Sequence, residues 1–346
     1  MEDRRYDIDW LRVIAIGLLL IYHIAIVFQP WAVFIGFLQS KESLESIWIP
    51  MSMLNVWRIP ILFFVSGMGV AFAMRKRSWK QLLLERTKRI LIPFVAGILL
   101  IVPLHWFIFQ DYYSQQINYN ATTGHLWFLG NIFIYVLILS PLFFWIKKIQ
   151  LKNSYTWLSQ TFKSPLGLLL ITLTFIAETM LFKPTIFEMY ATTSHGFAFG
   201  FIAFFWGFCT VISGLHFLET TKKWRWVLLA LSSSLFAIRL ILFELKAPNY
   251  IMSLESALWI FTVFGFSARY LNRPNKKLTY LSAGAYPIYI WHMVFLYLGS
   301  YFILPIDIPA WTKLLLISAF TFGGCFLFYE ILVRRNKVLR PLFGMK

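Results

Sequence analysis

Long apolar runs divide the chain, and no other feature limits its fold so strongly. Of its 346 residues, 59% are hydrophobic and only 14% are charged, whereas a soluble domain averages about 25% charged residues. Several runs reach the roughly 20 residues that an α-helix needs to cross the hydrocarbon core of a bilayer. Helices satisfy all their backbone hydrogen bonds within the segment, as lipid requires. The sequence therefore predicts an all-α, polytopic integral membrane protein.

Ten transmembrane helices are predicted from these runs. The whole chain, residues 1–346, is interpreted as a single transmembrane domain, with helices over about residues 13–333 and a short basic tail after them. No internal repeat is visible, which disfavours a transporter built from inverted repeats. The predicted spans are 13–33, 50–74, 90–110, 126–146, 166–183, 196–217, 226–243, 252–269, 279–299 and 312–333.

The basic residues predict the orientation of these helices. Outside the spans, lysines and arginines alternate between loops, with 25 on one side and four on the other. The positive-inside rule places the richer side in the cytoplasm, so both termini are predicted to be cytoplasmic. The same pattern explains the net charge of +17, so no nucleic-acid partner is expected. The expected location is the lipid bilayer of the cell's cytoplasmic (inner) membrane, which the chain crosses many times.

Arg12 and His23 are eleven residues apart on the first predicted helix. At about 100° and ~1.5 Å per residue, their side chains point the same way, about 16 Å apart along the axis. Arg12 lies near the start of the apolar run, three residues after Asp9, and His23 lies near its middle. An ionisable side chain at membrane depth marks a functional site by default. The alternatives are an arginine that snorkels to the boundary and a histidine that only packs.

Three further arginines are candidates for a site. Arg58 lies about nine residues inside the second predicted helix, and because arginine keeps its charge it needs a counter-charge or carbonyl groups nearby. Glu178 and Glu255 are its candidate partners. Arg86 and Arg89, at the start of the third helix, are three residues apart and share one face in α-helical geometry. They would grip a phosphorylated ligand by bidentate hydrogen bonds, or else they belong to a plain cytoplasmic cluster of positive charges.

The remaining polar groups predict no metal or redox site. The sequence has no HExxH motif, no Cys–His cluster and no P-loop, so no metal is expected. Cys209 and Cys325 lie inside apolar runs, as is typical of buried, inert thiols. Glu330 lies four residues before Arg334, and an ion pair on one helix face explains both. His292 lies near the middle of the ninth predicted helix.

Several of these residues lie in motifs that resemble the membrane-bound acyltransferase 3 family. The motifs follow the family's order over about residues 5–340. Arg58 and the C-terminal sequence YEILVRRNKVLRPLFGMK are most similar to its glucan-succinylating branch, glucan biosynthesis protein C. The matching pieces are Asp9-Trp10-Leu11-Arg12 with a ten-residue spacer to His23, the segment from Arg58 to Gly67, Arg86-x-x-Arg89 with Pro93, His125-Leu126-Trp127, Ser282-x3-Tyr286-Pro287-x-Tyr289-x2-His292 and Tyr329-Glu330.

The resemblance implies an acyl transfer across the membrane. Such proteins take an acyl group, usually acetyl, from cytoplasmic acyl-CoA and deliver it to a hydroxyl of an extracytoplasmic glycan. The expected partners are therefore acyl-CoA and an extracytoplasmic carbohydrate, and the expected co-substrate is acyl-CoA, with no permanently bound cofactor. The two family motifs regarded as essential, Arg-x10-His and Arg-x-x-Arg, fall on Arg12 with His23 and on Arg86 with Arg89.

A catalytic hypothesis follows for these positions. His23 would act as general base or accept the acyl group covalently. Arg86 and Arg89, with a contribution from Arg12, would hold the nucleotide of acyl-CoA. Arg58 is the candidate for stabilising the thioester oxyanion. Asp9 would pair with Arg12 in the catalytic group, and the supporting residues are Glu330, His292, Tyr289 and Trp127.

The rival interpretation is a non-enzymatic membrane protein. An exporter of a small solute or sugar also needs polar residues near the bilayer midplane. A channel is disfavoured because the sequence has no repeated rings of pore-lining residues. Release of CoA or self-acylation with labelled acyl-CoA would favour the enzyme, and saturable sugar flux without either would favour the exporter.

Overall fold

A computed structural model of the protein describes residues 4–152 and 157–345. Within these ranges every regular element is helical and no strand occurs. Nine of the described helices are long and apolar enough to cross a membrane, and Leu166–Phe182 is a shorter apolar helix. These ten helices overlap all ten predicted spans. The prediction of an all-α, polytopic membrane protein is confirmed.

Short 3₁₀ turns and one short helix lie between the long helices or after the last of them. The 3₁₀ turns are Ala32–Ile35, Glu45–Ile47, Gly124–Leu126 and Arg340–Phe343, and the short helix is Trp157–Phe162. A π turn, Tyr329–Val333, continues the last long helix. In chain order, the long helices are α1 (Tyr6–Ile26), α2 (Trp48–Met74), α3 (Trp79–Tyr112), α4 (Trp127–Lys152), α5 (Leu166–Phe182), α6 (Ser194–Ile212), α7 (His216–Phe243), α8 (Asn249–Tyr270), α9 (Lys276–Ile303) and α10 (Ala310–Phe328).

The predicted bounds of the first helix, 13–33, are wrong by seven residues at each end. Helix α1 starts at Tyr6, with Asp7 and Asp9 in its first turn, where carboxylates interact favourably with the helix dipole. It ends at Ile26, shortly before Pro30, because a proline disfavours helical backbone in the residue before it. His23 consequently lies in the last turn of α1 and not near the middle of the helix.

Helix α3 also begins earlier than predicted, at Trp79 instead of residue 90. The first turns of α3 are polar, so a search for apolar runs does not find them although they are helical. Two π turns, Thr87–Leu91 and Gly97–Ile101, interrupt the α-helical bonding of α3. Pro93 and Pro103 each lie two residues after the last residue of one of these turns. A proline has no backbone N–H, so it cannot donate a hydrogen bond to the carbonyl four residues before it. For Pro103 that carbonyl is Leu99 O, and the hydroxyl of Tyr119 donates to it instead, at 3.0 Å.

The described residues form two compact units. The first consists of 4–15, 52–85, 131–152 and 157–278, and the second of 16–51, 86–130 and 279–345. Within the first unit, α2 and α6 approach so closely that only glycine fits at the contact. A Cβ on Gly67 would lie 1.9 Å from Phe204 O, and one on Gly207 would lie 1.9 Å from Phe64 O. Such small-residue contacts let helix backbones pack tightly in membranes.

A buried ion pair joins α7 and α8 in the same unit. Arg239 is fully buried, and its Nε and Nη2 donate to the two carboxylate oxygens of Glu255 at 2.6 and 3.0 Å. Its Nη2 also donates to Ser52 O at 3.1 Å, and Glu188 Oε1 lies 3.7 Å from its Nη1. A buried charge is tolerated when it is paired and hydrogen-bonded in this way.

The core of the second unit includes an irregular loop. Residues 27–47, which join α1 to α2, contribute buried apolar side chains that pack with residues of α1, α3, α9 and α10. Backbone hydrogen bonds fix the loop, from Ser40 N to Val27 O at 2.8 Å and from Leu44 N to Phe28 O at 2.9 Å. The side chain of Gln29 donates to Leu44 O at 3.2 Å. The loop is therefore part of the core, directly after the turn that carries His23.

Candidate active site

A pair of histidines lies at the centre of the second unit. His23 Nδ1, in the last turn of α1, is 2.8 Å from His292 Nε2 on α9. The two rings are nearly parallel, with an interplanar angle of 5° and centroids 5.1 Å apart. His292 is fully buried, whereas His23 is half-buried. Two histidines that are 269 residues apart in sequence thus share one hydrogen bond.

The partners of His292 determine which ring nitrogens carry protons. His292 Nδ1 is 2.6 Å from Tyr289 O, and a carbonyl oxygen only accepts, so Nδ1 carries the proton. In a neutral His292, Nε2 is then an acceptor, and His23 Nδ1 must donate to it. The lone pair of a neutral His23 is thereby placed on Nε2. This hydrogen-bonded chain, which we call the histidine relay (His23, His292 and Tyr289 O), sets the tautomer that acid–base or nucleophilic chemistry at Nε2 requires.

Two more histidines lie near the relay. The His125 ring lies edge-on to His292, with centroids 5.0 Å apart, and its Nε2 is 3.0 Å from Ile290 O. The His105 ring lies 5.7 Å from that of His125 and 5.0 Å from that of Tyr297. The second unit therefore gathers four imidazoles in one buried, largely aromatic region.

His125 and His105 were not among the predicted site residues. Both lie towards helix ends, where a histidine looks like an ordinary interfacial group, and their contacts depend on tertiary packing. One signal was available: His125 stands two residues before Trp127, inside one of the motifs that carry the family resemblance. Within the described residues, no group of three or more His, Cys, Asp or Glu side chains is arranged to hold a metal ion.

The supporting residues lie in three parts of the second unit. Tyr289 belongs to the relay region, since its hydroxyl donates to His125 O at 2.6 Å. Trp127 begins α4, and its ring packs edge-on against Phe128. Glu330 instead joins α9 to the end of α10: it accepts from Arg334 at 2.8 and 2.9 Å and from the Tyr280 hydroxyl at 3.2 Å. The structure thus contains the predicted pair of Glu330 with Arg334.

Arg12 and Asp9 lie near the start of α1, in the first unit. Arg12 Nη1 is 3.7 Å from Asp9 Oδ1, as the spacing of three residues predicts. Asp9 Oδ2 also accepts from Nε and Nη2 of Arg4 at 3.0 and 2.8 Å. Arg12 lines a pocket of about 530 Å³ together with several other basic side chains. Arg12 and His23 share one continuous helix but take part in different groups of contacts.

Arg86 and Arg89 lie at the first irregularity of α3. Arg86 ends an α-helical stretch, and Arg89 lies in the π turn Thr87–Leu91. A π turn holds more residues than an α-helical turn, so the two side chains lie further apart around the axis than the predicted shared face requires. The C-terminal turn Arg340–Phe343 packs against this π turn. Gly344 follows it with a φ of +65°, and a Cβ there would lie 2.7 Å from Arg89 O.

Arg58 lies in α2, in the first unit, and its side chain is buried. Its Nη2 donates to Asn55 Oδ1 at 3.3 Å. The two carboxylates expected as its partners each contact another basic group. Both oxygens of Glu178 are 3.0 Å from His195 Nδ1, and Glu255 binds the buried arginine of α7. A permanent charge buried in a helix of spanning length is a candidate functional group.

Comparison with known proteins identifies the family to which the chain belongs. A family model for acyltransferase 3, described as an acyltransferase domain, matches residues 5–330. The match covers nearly the whole chain and includes the histidine relay together with Arg12, Arg58, Arg86 and Arg89. No curated protein and no solved structure matches the chain significantly.

Proposed function

This chain belongs to the acyltransferase 3 family and is a membrane acyltransferase, and on that premise we propose that it transfers an acyl group, acetyl or succinyl, from acyl-CoA to a hydroxyl of an extracytoplasmic glycan. The proposed location is the cytoplasmic membrane of the cell. The observation that supports it best is the histidine relay, in which His23 Nδ1 lies 2.8 Å from His292 Nε2. That contact orients an imidazole in a family whose chemistry calls for a base or a nucleophile.

In the general-base route, His23 Nε2 removes the proton of the acceptor hydroxyl while that oxygen attacks the thioester carbonyl. The C–S bond then breaks, and the leaving thiolate takes the proton back from Nε2. The Nδ1–H of His23 keeps its hydrogen bond to His292 Nε2 throughout. A hydrogen bond to a charged group is stronger than one between neutral groups, so the relay stabilises the imidazolium that forms in between.

In the covalent route, His23 Nε2 attacks the thioester carbonyl itself, and the C–S bond breaks to give an acyl-imidazolium, which keeps its Nδ1–H, and CoA thiolate. The glycan hydroxyl then attacks this acyl group, and the bond to Nε2 breaks. The hydroxyl proton goes to the CoA thiolate or to water, which leaves neutral His23. Both routes use the same nitrogen. They differ in kinetics, because only the covalent route gives ping-pong behaviour and a labelled protein intermediate.

The arginines have proposed electrostatic roles. Arg58 is proposed to stabilise the oxyanion of the thioester carbonyl, because it stays charged and its side chain is buried. Arg86 and Arg89 are proposed to bind phosphate groups of acyl-CoA, since guanidinium groups match phosphate geometry. Arg12 is proposed to contribute to the same binding.

The test is acyl transfer by purified protein with radiolabelled acetyl-CoA or succinyl-CoA and a glycan acceptor. Loss of general-base catalysis predicts that His23→Ala lowers kcat by roughly 10²- to 10⁴-fold. His216→Ala is the matched control, because this histidine begins α7 and lies outside the relay. Near-normal transfer by His23→Ala would contradict the assignment of His23. Saturable glycan transport by the wild type, without release of CoA, would contradict the proposed reaction.

A further inference from the structure

Two consecutive residues of α9 hold His125 in one orientation. The ring nitrogen Nε2 of His125 lies 3.0 Å from Ile290 O, and its backbone carbonyl accepts a hydrogen bond from the Tyr289 hydroxyl at 2.6 Å. A carbonyl oxygen only accepts, so Nε2 carries the proton and, in the neutral ring, Nδ1 carries a lone pair. The fold thus fixes a second acceptor nitrogen beside the histidine relay.

The lone pair on His125 Nδ1 is not used by the protein. This nitrogen is buried, and within the part of the chain that the structure describes it has no hydrogen-bond partner. A buried acceptor without a partner is unfavourable, and native proteins satisfy nearly all such atoms with protein, water or ligand groups. His125 Nδ1 is therefore suited to accept a hydrogen bond from a substrate hydroxyl.

His125 lies near the end of α3 that is opposite Arg89. Its ring centroid is 5.7 Å from that of His105, and His105 follows Arg89 by 16 residues in α3, which is about 24 Å along the axis at ~1.5 Å per residue. The exposed residues 114–122 end three residues before His125. The acceptor is therefore expected to approach from this exposed connection, while the arginines proposed to bind acyl-CoA lie at the other end of α3.

The covalent route requires a second base. Once His23 Nε2 carries the acyl group, it has no lone pair for the proton of the attacking hydroxyl. His23 Nδ1 already carries a proton, which it donates to His292 Nε2. The ring of His292 stacks on that of His23 and also contacts that of His125, with centroids 5.1 and 5.0 Å apart. The acceptor nitrogen of His125 thus lies one imidazole ring away from the acylated one.

We infer that His125 Nδ1 is the general base that activates the glycan hydroxyl in the covalent route. The inference rests on the proposed function, which supplies both the acyl group and the hydroxyl. The role differs from that of His23, because His125 never carries the acyl group. It makes His125 a catalytic residue that contacts the acceptor.

The second half of the reaction then proceeds as follows. The hydroxyl donates to His125 Nδ1, which takes the proton while the oxygen forms a bond to the acyl carbon. The bond from that carbon to His23 Nε2 breaks, and its electron pair stays on the nitrogen, so His23 becomes neutral. The His125 imidazolium keeps its hydrogen bond to Ile290 O and releases the Nδ1 proton to water. The CoA thiolate from the first half takes a proton from water.

His125→Gln separates this role from a structural one. The amide of glutamine can donate to Ile290 O in place of Nε2, but it has no basic nitrogen in place of Nδ1. A structural role predicts near-normal activity, whereas a general base predicts that transfer to the glycan slows by roughly 10²- to 10⁴-fold. His216→Gln is the matched control, because this histidine begins α7 in the first unit. Thermal unfolding in detergent shows whether the variants are folded.

Single-turnover experiments with radiolabelled acyl-CoA identify the step that is slowed. Without glycan, His125→Gln should release one equivalent of CoA at the wild-type rate and keep the label on the protein, because His23 is intact. When glycan is added, the label should leave the wild type and His216→Gln quickly but remain on His125→Gln. His125→Phe keeps the shape of the ring and should give the same pattern.

Three results would overturn the inference. They are transfer at the wild-type rate in a folded His125→Gln protein, slower release of CoA by that variant in the first half-reaction, and acyl transfer by the wild type without a labelled protein intermediate. The last result would leave the proposed function intact, because the general-base route needs no second base. Failure of the proposed function gives a different result, a wild type that neither releases CoA nor acylates the glycan.

Discussion

Replacing His292 by phenylalanine tests the histidine relay most directly. The substitution keeps a flat ring beside His23, whose own ring is nearly parallel at 5.1 Å. It removes the Nε2 acceptor that lies 2.8 Å from His23 Nδ1. If His23 works through Nε2, this change weakens catalysis without touching the reacting nitrogen, so His292 is a positioning residue.

The size of the effect follows from the hydrogen bond that is lost. Such a bond contributes about 1 kcal/mol between neutral groups and up to about 3 kcal/mol when the donor is an imidazolium. Only the difference, about 1–2 kcal/mol, lowers kcat, since the ground state loses its own bond as well. His292→Phe should therefore reduce kcat about 5- to 30-fold. His23→Ala should cost more, roughly 10²- to 10⁴-fold.

The assay is release of CoA together with labelled glycan, measured as kcat and KM separately. The loss in His292→Phe should fall on kcat, with KM for acyl-CoA unchanged. His292→Gln offers an amide oxygen near the position of Nε2 and should recover most of the activity. Thermal unfolding in detergent shows whether each variant is folded. A folded His292→Phe enzyme with wild-type kcat, or a His292→Gln enzyme no better than His292→Phe, would refute the relay.

Three further predictions concern stability, each measured by thermal unfolding in detergent. Gly207→Ala should prevent stable folding, because its Cβ would lie 1.9 Å from a backbone carbonyl oxygen of α2. Gly17→Ala is the control and should be tolerated, because a Cβ there would have no atom within 4 Å. Equal stability of the two variants would contradict the close contact between the helices. Arg239→Ala should lower the free energy of unfolding by about 3–5 kcal/mol, because the carboxylate of Glu255 is left buried without its ion-pair partner. A loss below about 1 kcal/mol would contradict this prediction, because removing one partner of a buried ion pair usually costs more. Burial raises the pKa of the Glu188 carboxyl group, so the folded protein binds the carboxyl proton more tightly than the unfolded chain does. The folded protein should therefore lose stability as the pH rises from the pKa of this group in the unfolded chain to its higher pKa in the folded protein. Glu188→Gln should remove that loss, and an unchanged pH dependence would count against it.

The fold was predictable because hydropathy reports burial in lipid directly. The ten apolar runs correspond to ten helices, since a spanning segment has almost no alternative to helix. The ends were less predictable, because a helix continues beyond the part of it that is apolar. Residues Trp79 to Arg86 are helical although they lie before the apolar run of α3, and the polar start of α1 at Tyr6 was missed for the same reason.

The candidate site was predictable only where its contacts are local. Asp9 with Arg12, and Glu330 with Arg334, are three and four residues apart, so helix geometry alone brings each pair together. The contact of His23 with His292 instead depends on how α1 packs against α9. No spacing along the chain encodes it. The π turn at Arg89 is likewise a departure from regular geometry that the motif Arg-x-x-Arg does not reveal.

The fixed loop between α1 and α2 has a practical consequence for mapping the topology of the chain. Residues 27–47 lack regular helix over most of their length, yet their amides bond to core carbonyls and the Tyr297 hydroxyl donates to Gly36 O. Epitope tags or protease sites inserted there would break the core around His23. The connection after α3 differs, because residues 114–122 are exposed throughout. Reporter insertions that determine which side of the bilayer a loop faces belong in that segment.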